Sequence, residues 1–166
     1  MKDFQSRPAL DVVDMKPARY GWQVYLGNFG FGPAHGLVLE INLQTSVEGY
    51  TPRETTVKLK KQFEESEADQ ISTNAILPKS EAETFLAENI DIELGESDST
   101  SLSSLFEELA IHGDGSDTIT IDLTVRGVDA FETEYTCDAG QYSFVVEDLQ
   151  GLSEYHISSV VAFERN

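Results

Sequence analysis

Two short runs limit the architecture of this chain more than any other feature. Leu37, Leu39, Ile41 and Leu43 alternate with Val38, Glu40 and Asn42. Ile119, Ile121, Leu123 and Val125 alternate with Thr118, Thr120, Asp122 and Thr124. Successive side chains of an extended strand point to opposite faces, so each run presents one aliphatic face and one largely polar face. A helix would scatter the same residues around its circumference. Both runs read as half-buried strands.

The rest of the chain keeps this rhythm. Residues 9–15, 22–26, 57–63 and 85–94 read as strands, although Lys61 interrupts an apolar face, and 71–77, stopped by Pro78, is a weaker candidate. An acidic turn or loop occupies 64–69, and a polar loop occupies 95–101. Residues 131–137, 141–147 and 155–163 read as further strands, with turns at 127–129 and 138–140. One helix stands out near 102–111, where Leu102, Leu105, Phe106 and Leu109 follow the i, i+3, i+4, i+7 spacing. Thr100 or Ser101 can cap its start and Gly113 can close its end. Eight or nine strands joined by turns leave no room for helical crossovers. The expected fold is therefore mainly β: an antiparallel β-sandwich in one domain, 1–166, with residues 1–8 as a flexible N-terminal segment.

Charge narrows the class of partner. The chain has 30 Asp and Glu against 11 Lys and Arg, a net charge of −19. Residues 1–61 carry a net +2 and residues 62–166 a net −21. A surface of that sign repels phosphate backbones and anionic lipid, so no nucleic-acid partner is expected. No apolar run approaches bilayer length and the start lacks a leader-like apolar stretch, so no direct membrane insertion is expected. Sparse Lys with abundant Asp, Glu, Thr and Val resembles the composition of proteins from salt-loving archaea and their viruses. There the acidity is a solubility device, and concentrated salt screens the self-repulsion.

The residues between the second and third strands are the most distinctive. Gly27, Gly30, Gly32 and Gly36 follow no phosphate-cradle spacing and precede a strand rather than a helix. They read as a tight connection. Asn28-Phe29-Gly30-Phe31-Gly32-Pro33-Ala34, following Arg7-Pro8-Ala9-Leu10-Asp11-Val12, resembles the N-x-G-x-G-P-A hairpin and preceding strand of immunoglobulin-like β-sandwich domains in prokaryotic membrane-anchored and surface proteins. The resemblance covers residues 7–45. It implies an immunoglobulin-like sandwich close to a membrane or cell surface, and it carries over no functional residue because the motif is a turn.

Few residues point to chemistry. Cys137 stands alone, so no disulfide forms within the chain, and its alternating context reads as a small buried hydrophobe. His35, His112 and His156 lack metal-ligand spacing. Asp114 and Asp117 flank a glycine turn and are the candidate calcium ligands, with turn chemistry as the competing reading. No nucleophile elbow is present, and no other cofactor is implied. Trp22 is inward by alternation, whereas Phe29 and Phe31 sit in a turn and are the candidate interaction residues.

The expected function is a non-enzymatic accessory or interaction domain. Its partner is another protein or a second copy, within a surface, membrane-associated or virion assembly in high salt. The alternative is a carbohydrate- or calcium-binding module that uses the acidic loops.

Overall fold

Period-two burial dictates the architecture of the computed structural model, which describes residues 7–18, 21–61, 74–88, 90–93 and 99–149. The strands in chain order are β1 (Leu10–Ala18), β2 (Gly21–Asn28), β3 (Ala34–Thr45), β4 (Arg53–Lys58), β5 (Lys60–Lys61), β6 (Ala75–Ile76) and β7 (Ser80–Glu88). There follow β8 (Asp91–Glu93), β9 (Ser99–Ser101), helix α1 (Leu102–His112), β10 (Thr118–Val128) and β11 (Glu134–Val145). A 3-10 turn, Val146–Leu149, ends the described chain.

All pairings are antiparallel. One sheet has the order β1-β2-β7-β5, a second has β11-β10-β3-β4 with β6 beside the start of β3, and β8-β9 form a small ribbon. The two most alternating runs of the sequence are direct neighbours. Leu43 lies opposite Ile121, Ile41 opposite Leu123 and Leu39 opposite Val125. All six are buried, and each contributes about 1.5–3 kcal/mol relative to exposure. From the first sheet, Trp22, Val24, Leu26 and Phe85 join the same core. Ala87 lies opposite Trp22, so the smallest inward side chain of β7 leaves room for the largest of β2. Two antiparallel sheets sharing one core are consistent with a β-sandwich.

The sheets meet at both margins. On one side β4 runs through buried Leu59 into β5, which pairs with β7. Asn74 braces this passage by donating 2.7 Å bonds to the carbonyls of Leu37 and Leu59. The side chain of Lys61, whose charge breaks the apolar pattern, is 7% exposed here and meets the Glu83 carboxylate at 2.6 Å. On the other side the Tyr142 hydroxyl of β11 donates to the Met15 sulfur of β1 at 3.7 Å.

The helix forms where its spacing predicts. The Ser101 hydroxyl accepts from the Ser104 N–H, and the Gly113 N–H donates to the Leu109 carbonyl. Leu102, Leu105, Phe106 and Leu109 are buried, with Phe106 edge-on to Phe144 at 6.0 Å.

Several details differ from the sequence reading. Gly127 and Val128, expected in a turn, pair with Tyr135 and Glu134 inside β10, and the strand expected at 85–94 is divided between β7 and β8. The expected turn at 138–140 is a bulge inside β11: Leu123 pairs with Gly140 and Thr124 with Asp138, leaving Ala139 as the extra residue. Gly140 has φ +110 and donates its N–H to the Asp138 carboxylate. The following strand starts at Glu134 rather than 131, because the Asp129 carboxylate accepts from the N–H groups of Phe131 and Thr133 and holds those residues in a turn. Residues 99–101 are paired as β9 instead of lying in a polar loop. The expected loop at 64–69 and strand at 155–163 fall outside the described residues, as do residues 71–73 of the expected strand at 71–77.

Candidate functional site

The hairpin between β2 and β3 is built around one buried amide. Asn28 is fully buried. Its Oδ1 accepts from the Ala9 N–H at 3.0 Å and from the Gly30 N–H at 3.1 Å. Its Nδ2 donates to the carbonyls of Gly32 at 2.9 Å and Ile76 at 3.5 Å. Four partners satisfy the side chain completely. Backbone bonds finish the lock: the Phe29 N–H donates to Ala9 O, and the Phe31 and Gly32 N–H groups donate to Arg7 O. Arg7 and Pro8, placed by sequence in a flexible lead-in, are thus held against the hairpin. Gly30 is required for close approach, since a Cβ there would lie 2.3 Å from the Arg7 carbonyl oxygen. The two sequence pieces that carry the resemblance are one structural unit.

This scaffold holds two aromatic rings in water. Phe29 is 50% exposed and Phe31 63%. The neighbouring turn adds Leu77, which is 55% exposed, and Lys79, whose ammonium lies 3.7 Å from the centre of the Phe31 ring. Lys79 has φ +62, an uncommon backbone for a residue with a side chain. Phe131 is exposed at the same end of the strands, next to Asp129, whose backbone carbonyl lies 3.1 Å from His35 Nε2. Sequence reading missed Leu77, Lys79 and Phe131. Pro78 between Leu77 and Lys79 signalled a turn that lifts its neighbours off the sheet.

The two candidate calcium ligands share one turn at the opposite end. Asp117 Oδ2 accepts from the Asp114 N–H at 2.7 Å, and its Oδ1 accepts from the Ser46 hydroxyl at 2.8 Å. Asp114 Oδ1 accepts from the Ser116 N–H at 3.2 Å. The Val146 N–H donates to the Asp117 carbonyl, so the turn also fixes the exit of β11. Among the described residues no three His, Cys, Asp or Glu side chains come together as a metal site.

The remaining polar groups are dispersed. Asp129 is buried, which raises its pKa, but the backbone N–H groups of Thr133 and Phe131, the Tyr135 hydroxyl and the charge of His35 outweigh burial and lower it overall. Cys137 is half-buried beside β1, and burial pushes its thiol up to about 11 despite a hydrogen bond with Val12. Arg126 bridges Glu40 and Glu134 on the outer face of the second sheet. An open groove of about 620 Å³ beside β4 is lined by Glu54, Thr55, Thr56, Asp91 and Ser99. The Thr55 hydroxyl there donates to the Asp91 carbonyl, and among the described residues no basic side chain lines the groove.

Among the described residues no helix is long and apolar enough to cross a membrane. The sequence matches no family model and no curated protein.

Proposed function

We propose that this chain is a non-enzymatic interaction domain of the immunoglobulin-like type, adapted to concentrated salt, which binds a protein or joins a larger assembly through the hairpin bearing Phe29 and Phe31. The observation that carries the reading is the contrast between that hairpin's rigid base and its exposed rings. Asn28 and Gly30 hold the loop in one conformation, so docking it costs little ordering entropy. Each ring, if covered, contributes about 1.5–3 kcal/mol. Aromatics held this way on a charged surface have the character of binding anchors. Among the described residues the one thiol is deactivated by its raised pKa, and the groove beside β4 offers hydroxyls and carboxylates without a histidine or a cation.

The test compares wild type with Phe29→Ser/Phe31→Ser as baits at matched salt, with light scattering on both and circular dichroism to confirm an unchanged fold. A discrete partner or self-association seen with wild type and lost in the variant supports the reading. Identical binding by both proteins overturns it. So does a wild type that stays monomeric and captures nothing across the salt series.

A further inference from the structure

We draw no further inference here: the strongest candidate, the exposed Ile111 side chain beside Glu107 and Glu108 at the C-terminal end of α1, is an unpartnered apolar patch, and nothing in the structure shows what covers it.

Discussion

The Asn28 side chain accepts the backbone N–H of Ala9 at 3.0 Å and thereby ties the segment entering β1 to the hairpin leaving β2. Asn28 is fully buried, so its side chain meets this segment from inside the fold. The bond makes the hairpin a fixed platform rather than a loop.

Asn28→Ala leaves the N–H groups of Ala9 and Gly30 without their acceptor, at a part-buried and a buried position respectively. Each orphaned donor costs roughly 1–3 kcal/mol, so the expected loss in denaturant unfolding is about 3 kcal/mol. Gly30→Ala should destabilise the fold as well, since its Cβ would lie within 2.7 Å of the Arg7–Ala9 backbone. Asn42→Ala, on the outer face of β3, should shift stability by less than about 0.5 kcal/mol. A loss under about 1 kcal/mol for Asn28→Ala would show that the hairpin holds without its amide.

Asp129 gives the fold an acid-sensitive joint. Its pKa is lowered below the ordinary 3.8, so the folded state binds its proton less readily than the unfolded chain does. The stabilisation is therefore complete well above pH 3.8 and is lost as pH falls through the lower folded value. Asp129→Asn should be less stable than wild type at pH 6, and the gap should close as pH drops below 3.8. A gap independent of pH would assign the turn to hydrogen bonding alone.

Cys137 should be a slow thiol. With its pKa pushed up to about 11 from an ordinary 9.0, its thiolate fraction near pH 8 is about a hundredfold below that of a solvated cysteine. Alkylation by iodoacetamide should lag a small-thiol control accordingly and accelerate as pH approaches 11. A rate equal to the control at pH 8 would mean that β1 does not cover the sulfur.

Salt should stabilise this protein strongly. The chain carries a net −19, and among the described residues ion pairs engage Lys61 and Arg126. Raising potassium chloride from 0.1 to 2 M should lift the melting temperature by on the order of 10 °C. A flat response would mean that the carboxylates lie too far apart to repel one another.

Strands with a one-sided burial pattern were legible from residues alone, as β3 and β10 show. Their register was not, because pairing depends on bulges such as that at Ala139, and Asp138-Ala139-Gly140 reads equally as a turn or a bulge. The exposure of Phe29 and Phe31 could be named but not decided from alternation, since a turn has no inward face. Lys61 looked like an error in an apolar pattern, and its partner Glu83 is 22 positions away. Long-range pairing of this kind leaves no local mark. Asn28 carried none either, because a buried amide and a turn asparagine are spelled alike.

The passage of β4 through Leu59 into β5 has a mechanical meaning. One segment is woven into both layers and clasped by Asn74 where it changes sides. Prising the layers apart must therefore rip a continuous thread, so neither can melt while the other stays whole. Whatever pulls on the Phe29 loop pulls on the entire body at once.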